Sequence, residues 1–217
     1  MRHIRVRTGA SWIADVLVSN PLPHSIHILT CDYLVHASPS LLDIGRGCIQ
    51  LKMNDGLMWS HRARMKMYPF EMSGGAFIVE MRLGGEVFRL TVDTGAPGPV
   101  SLGKEAAKRL TSCTRTQTAL TQEGVNGEHI CSDIIVAALE FGRKTVQAVP
   151  VFVNDRPVDG VDGYVGLGVL RAFNILITYD GIGFSENGLD MRTVDDYKSV
   201  SEPRSCTKTG GNTFCTH

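Results

Sequence analysis

The feature that most constrains this chain is an aspartate placed between two β-prone segments. Residues 90–96 read LTVDTGA, so an apolar run ends in Asp93, a small hydroxyl residue and a glycine. Residues 100–102, VSL, then resume a β-prone pattern. Because aspartate and glycine favour tight turns, we predict that Asp93 lies at the tip of a turn between two strands. The chain carries this motif once.

Composition is that of a globular protein without a strong charge bias. The chain has 217 residues, enough for one large or two small domains. Its 22 basic and 22 acidic residues balance, so charge gives no reason to expect binding to nucleic acid or to an anionic membrane. The 23 glycines and the scarcity of helix-period runs favour β structure with many turns.

The beginning of the chain contains no convincing signal peptide. Its apolar stretch, residues 12–18, is interrupted by Asp15 and ends at a Ser-Asn-Pro turn. No apolar run is long enough to span a membrane, so a cytoplasmic location with free thiols is expected. Cys206 and Cys215 bracket a short loop and would pair only in an oxidising compartment, an alternative that stays open. No Cys or His spacing resembles a zinc site, and we expect neither metal nor cofactor.

The first third of the chain, residues 1–72, is predicted to be a small β-rich region of unknown role. Short β-prone runs occur at residues 16–18, 26–29 and 48–53. Residues 54–56, Asn-Asp-Gly, lie between two apolar runs and predict a hairpin turn. Two glycines after Ser73 mark the predicted boundary with the next domain.

The pattern is clearer after that boundary. Two β-prone runs joined by Gly84 and Gly85 predict a hairpin whose second strand delivers Asp93. The elements predicted beyond it are a helical turn at 104–110, two strands around a glycine-bearing tip at 124–127, strands at 133–139 and 146–153, the segment GYVGLG at 163–168, a short helix at 169–173 and a strand at 175–179. The polar residues 188–217 are predicted to be a loosely ordered tail.

Three of these features, in this order, make residues 76–186 resemble the retropepsin-like aspartic proteases, the single-lobe type found in retroviruses. They are the hairpin that leads to residues 93–96, DTGA; the glycine-bearing tip, where that family carries its flap; and the apolar strand at 163–168 followed by a helix. The resemblance implies an all-β, retropepsin-like closed β-barrel or sandwich lobe with one short helix. It places this domain at residues 73–187.

The resemblance also implies the site. Its catalytic residues would be Asp93, Thr94 and Gly95, and its substrate-binding residues would be Ala96, Gly124, Val125, Asn126 and Gly127. Two close carboxylates share one proton, so one acts as a base toward water while the other donates a proton to the substrate carbonyl. The threonine hydroxyl can bond across the pair, and the glycine permits a sharp turn. The tip at 124–127 reads equally well as an ordinary hairpin loop.

A second acid is missing from the chain. Asp159, Asp162 and Asp180 each precede a glycine, yet none has the Asp-Thr/Ser-Gly context. We therefore expect a homodimer in which each subunit contributes Asp93, acting as an aspartic endopeptidase on extended polypeptides that bind by strand addition. The alternative is a catalytically silent module of the same fold that dimerises and binds peptides. The sequence Pro-Gly-Pro at residues 97–99 departs from the family, since it removes two backbone donors beside the site.

Overall fold

The computed structural model describes residues 2–8, 11–18, 34–35, 37–44, 46–123, 129–155, 160–198, 206–209 and 212–215. Strands dominate this part of the chain, which confirms the all-β fold class. The strands are β1 (Arg2–Thr8), β2 (Ser11–Val18), β3 (Ser40–Asp43), β4 (Cys48–Leu51), β5 (Lys66–Tyr68), β6 (Phe70–Ser73), β7 (Ala76–Leu83), β8 (Glu86–Asp93), β9 (Val100–Gly103), β10 (Cys113–Glu123), β11 (His129–Phe141), β12 (Lys144–Asn154), β13 (Gly163–Gly166), β14 (Phe173–Thr178), β15 (Gly181–Glu186), β16 (Cys206–Thr209) and β17 (Asn212–Cys215). The helices in the same ranges are α1 (Asp55–Arg62), α2 (Lys104–Ala107), α3 (Leu167–Leu170) and α4 (Val194–Lys198).

The chain divides into two compact units. Unit 1 comprises Met1–Glu80, Phe141–Lys144 and Leu170–Asp190. Its sheet has the strand order β2-β1-β4-β3-β14-β15-β5. Strands from the first third of the chain therefore pair directly with strands that follow α3: Leu42 lies opposite Ile175, and Tyr68 lies opposite Ile182. The boundary at Ser73 stays a prediction.

Aromatic packing forms part of the core of unit 1. The ring of Phe141 lies 4.4 Å from the ring of Phe173 and 4.4 Å from that of Phe184, measured between centroids. All three side chains are buried. Such ring pairs contribute both apolar burial and favourable edge contacts, so they stabilise the packing of β14 and β15.

The hairpin predicted at residues 54–56 is wrong, because this segment starts helix α1. The side chain of Asn54 accepts a hydrogen bond from the Leu57 amide at 2.9 Å and caps the helix. Asp55 places a negative charge in the first turn and Arg62 a positive charge in the last, both favourable to the helix dipole. Asparagine and aspartate suit a helix cap as well as a turn, so the local pattern was ambiguous. The run predicted at 26–29 lies outside the described residues.

Unit 2 comprises Met81–Glu140, Thr145–Val169 and Met191–His217. Its strands follow the order β10-β11-β12-β9-β13-β8-β7. The glycines at the β7–β8 turn, Gly84 and Gly85, have φ angles of 56° and 89°, as the predicted hairpin requires. Strand β13 runs parallel to β8 and antiparallel to β9, so it separates the two strands that flank Asp93 in the chain.

Elements also occur within the segment predicted to be a loosely ordered tail. Helix α4 buries Tyr197, which is 9% exposed, in a cluster with Phe152. Strands β16 and β17 pair in antiparallel register, with Cys206 opposite Cys215. Among the described residues, no helix combines the length and apolar character needed to cross a membrane.

Candidate active site

Asp93 is the last residue of β8 and is oriented by its own turn. The strand buries Phe88, Leu90 and Val92, and this alternation leaves Asp93 on the other face, partly exposed. The Oδ1 atom of Asp93 accepts hydrogen bonds from the Gly95 amide at 2.8 Å and from the Ala96 amide at 3.2 Å. A carboxylate held by two backbone N–H groups is fixed in one orientation before any substrate arrives.

The predicted catalytic residues therefore share one turn. A Cβ atom at Gly95 would lie only 3.2 Å from Oδ1 of Asp93, so a side chain there would crowd the carboxylate. Thr94 is exposed and Ala96 is half-buried. Their roles stay predictions. The substrate-binding residues predicted at 124–127 lie outside the described residues.

The loop that follows this turn, residues 96–99, accepts hydrogen bonds through its backbone carbonyl groups. The four carbonyl groups of residues 96–99 all accept hydrogen bonds from later parts of the chain. The Leu167 amide donates to the Ala96 carbonyl at 2.7 Å, and the Gly168 amide donates to the Gly98 carbonyl at 2.9 Å. The Gly166 amide donates to the Pro99 carbonyl at 2.6 Å, and the Tyr197 hydroxyl donates to the Pro97 carbonyl at 3.4 Å. The two prolines cost this loop little, because its carbonyl oxygens make the contacts and a proline retains its carbonyl.

Strand β13 needs glycine because it passes very close to its neighbours. In the parallel register Gly166 lies opposite Asp93, and a Cβ atom on Gly166 would come 2.5 Å from the carbonyl oxygen of Gly98. A Cβ atom on Gly163 would collide with the carbonyl oxygen of Ser101, and one on Gly168 with the hydroxyl of Tyr197. The glycines of the GYVGLG segment thus let β13 and α3 pack directly against the Asp93 loop.

A row of polar side chains crosses the sheet beside Asp93. Tyr164 lies opposite Thr91 on one side and Ser101 on the other, and the buried hydroxyl of Ser101 accepts from Nδ2 of Asn154 at 2.8 Å. Burial raises the pKa of Tyr164, its hydrogen bond with Ser101 opposes that change, and the negative charge of Asp93 raises the pKa further. Tyr164 thus lies on the face of the sheet that carries Asp93.

Sequence reasoning did not identify this row. Thr91 and Asp93 share a face because they are two residues apart in a strand, and that much is readable from the sequence. Tyr164 and Ser101 lie on the same face because of the register in which β13 pairs with β8 and β9. No local sequence pattern predicts that register. Among the residues described, no group of three or more His, Cys, Asp or Glu side chains is placed to hold a metal ion.

Part of the chain matches a known family. Residues 79–169 match the model of a family described as aspartyl protease. This range contains Asp93 and the GYVGLG segment, and the match confirms the resemblance predicted from the sequence. It supports aspartic protease chemistry in general terms. No curated protein matches the sequence.

Two solved structures are similar to parts of the chain. One is the EIAV protease in complex with an inhibitor, which is 17% identical; the alignment covers 43% of this chain and 84% of that chain, with a TM-score of 0.38. The other is a retropepsin-like aspartic protease from Rickettsia conorii, which is 16% identical; the alignment covers 55% of this chain and 87% of that chain, with a TM-score of 0.41.

Proposed function

We propose that this chain is an aspartic endopeptidase that works as a homodimer, with one Asp93 carboxylate from each subunit at the two-fold axis. The observation that carries the proposal is the orientation of Asp93 by the Gly95 and Ala96 amides, at the end of a strand within the segment that matches the aspartyl protease family. The carboxylate is partly exposed, so a second carboxylate and a substrate have access to it.

The second carboxylate comes from another copy because the chain has a single Asp-Thr-Gly motif. A two-fold axis places the same residue of each subunit face to face and so supplies a matched pair. Two like charges at short distance do not both ionise readily, so the pair keeps one proton, and its titration belongs to both groups together.

Hydrolysis then begins with two proton transfers. The ionised Asp93 takes a proton from water while the water oxygen bonds to the carbonyl carbon of the peptide, and the protonated Asp93 gives its proton to the carbonyl oxygen. The diol then gives one hydroxyl proton back to the ionised carboxylate as the C–N bond breaks, and the leaving amine takes a proton from the other carboxylate, which leaves the pair with one proton again. No covalent intermediate with the protein forms.

The substrate is an extended polypeptide. A peptide in this conformation offers backbone donors and acceptors on both sides and binds by strand addition. We propose that Ala96 contacts it from below and that Gly124, Val125, Asn126 and Gly127 close over it. The Thr94 hydroxyl of each subunit hydrogen-bonds to the backbone of the other subunit across the pair of carboxylates. Gly95, which has no side chain, leaves the carboxylates accessible to the substrate.

The test is Asp93→Asn, which keeps an oxygen for the Gly95 and Ala96 amides and removes the charge. Asp190→Asn, on an exposed aspartate, serves as the matched control. Cleavage of a mixed peptide library is followed by mass spectrometry from acidic to neutral pH. We expect wild type and the control to cleave, and Asp93→Asn to lose at least about a hundredfold in kcat/KM.

Full activity in Asp93→Asn would overturn the proposal. Equal peptide affinity in wild type and Asp93→Asn, with no turnover by either at any pH, would instead identify a silent peptide-binding module.

A further inference from the structure

Helix α4 lies beyond residues 79–169, the segment that matches the family, yet it packs against the candidate site. Its residue Tyr197 is 9% exposed. The ring meets that of Phe152 edge-on, with 5.0 Å between centroids and 78° between planes. Leu120 and Ile134 complete the buried cluster. A tyrosine so placed is part of the core of unit 2 rather than of a surface tail.

The position of Tyr197 is fixed by contacts of the residues just before it in the chain. Thr193 and Asp196 cap the start of α4 with two hydrogen bonds to each other. Asp196 Oδ2 accepts from the Thr193 amide at 2.6 Å, and Thr193 Oγ1 accepts from the Asp196 amide at 3.4 Å. The Arg192 amide donates to the carbonyl of Gly168 at 2.9 Å. The Arg192 guanidinium lies 5.8 Å from the centroid of the Tyr197 ring.

The hydroxyl of Tyr197 reaches the loop that holds Asp93. It donates to the Pro97 carbonyl at 3.4 Å, and it occupies the space that a Cβ atom on Gly168 would need. Pro97 directly follows Ala96, whose amide bonds Asp93. One hydroxyl therefore contacts both the loop that follows the Asp93 turn and the first turn of α3. Phenylalanine would keep the ring contact with Phe152 but would lack the oxygen beside Pro97 and Gly168.

We propose that Tyr197 is a positioning residue, whose hydroxyl holds the 95–99 loop so that the Gly95 and Ala96 amides stay on Asp93 Oδ1. The inference rests on the proposed function for its effect on catalysis. Without the hydroxyl, the Pro97 carbonyl loses this donor, and the loop gains freedom just where the carboxylate must be held. Small displacements of a catalytic group cost rate far more than they cost substrate binding.

The test compares Tyr197→Phe with Tyr179→Phe. The first removes a buried hydroxyl, and the second removes one from a side chain that is 81% exposed. We expect Tyr197→Phe to lower kcat about three- to tenfold, as for the loss of one hydrogen bond, with KM little changed. Amide hydrogen exchange, resolved by NMR, should accelerate at Gly95 and Ala96 and not in β14. Tyr179→Phe should match wild type in both measurements.

Amide hydrogen exchange tests the role of Tyr197 independently of whether the protein cleaves peptides. If wild type cleaves no peptide, the proposed function fails, while exchange at Gly95 and Ala96 still tests Tyr197. Unchanged exchange at these amides in Tyr197→Phe, or an equal acceleration throughout β14, would overturn the positioning role. Should Tyr197→Phe fail to fold, Thr193→Ala, which removes the capping hydroxyl of α4, should give a smaller acceleration at the same two amides; no acceleration there would also overturn it.

Discussion

Asp162 and Arg89 form two hydrogen bonds with each other, one in each direction. The Asp162 amide donates to the Arg89 carbonyl at 2.8 Å, and Asp162 Oδ2 accepts from the Arg89 amide at 2.8 Å. The same oxygen lies 2.7 Å from Nη2 of Arg109, and the carbonyl of Asp162 accepts from the Gly103 amide at 3.1 Å. One residue thus attaches the start of β13 to both β8 and β9. Asp162, which precedes a glycine but lacks the Asp-Thr/Ser-Gly context, therefore has a structural role.

Asp162→Ala should therefore destabilise unit 2. The substitution leaves the Arg89 amide without this acceptor and Arg109 without this carboxylate, and we expect a loss of about 1–3 kcal/mol in the free energy of unfolding. Denaturant titration measures it. The control is Asp155→Ala, since the Asp155 side chain is 74% exposed in its pair with Lys104, and surface pairs contribute about 0–1 kcal/mol. Equal losses in both variants would contradict the assignment.

The pair of Arg62 and Asp180 should give unit 1 a pH-dependent stability. Hydrogen bonds from Arg62, bidentate at 2.8 Å each, and then from Thr178 lower the pKa of Asp180 well below its usual range. A lowered pKa in the folded state means that the contribution is present above the unfolded pKa, about 3.9, and is lost as pH falls through the folded value.

Asp180→Asn should consequently be less stable than wild type near neutral pH, with the difference shrinking in strong acid. Because the side chain of Asp180 is 38% exposed, solvent screens the pair, and we expect a difference of about 1 kcal/mol or less. Unfolding free energies at neutral and acidic pH measure it. A difference that grows toward acid would have the wrong sign.

Mixed dimers test whether two subunits share one site. Wild type and Asp93→Asn are mixed in equal amounts under conditions in which subunits exchange. If each active site needs both carboxylates, only dimers of two wild-type subunits are active, and activity falls to about a quarter of that of the same total amount of wild type. Once exchange has been shown by co-purification of untagged Asp93→Asn with an affinity-tagged wild-type subunit, a fall to about half would show that each subunit works alone. Mixing with Asp190→Asn, which should keep full activity, controls for losses caused by the mixing procedure.

Removal of residues 1–72 should prevent unit 1 from folding. It deletes β3, the partner of β14, and β5, the partner of β15, so two lengths of strand edge lose their hydrogen bonds. We expect the shortened chain to aggregate on size-exclusion chromatography. A chain that starts at residue 34 keeps both partners and serves as the comparison. A shortened chain that stays soluble and folded by circular dichroism would show that residues 1–72 are a separate domain.

Local patterns predicted what local forces determine. The hairpin at Gly84 and Gly85, the turn at Asp93 and strand β13 could be predicted because their signals lie within a few residues. The prediction of a hairpin at Asn54 is wrong because the same side chain suits a turn and a helix cap. Tyr197 was missed because its neighbours, Phe152 and Pro97, are distant in sequence, and a polar composition around it suggested a tail.

The joining of β3 and β5 to β14 and β15 has a consequence for how this protein is made. Arg62 and Asp180, which meet in the same unit, are separated by 118 residues. Strand β3 can pair with β4 at once, but among the described strands its other edge and strand β5 have no partner until β14 and β15 have been synthesised. Pairings of such long range close slowly. During synthesis the nascent chain thus carries unpaired strand edges, which favour aggregation until β14 and β15 are made.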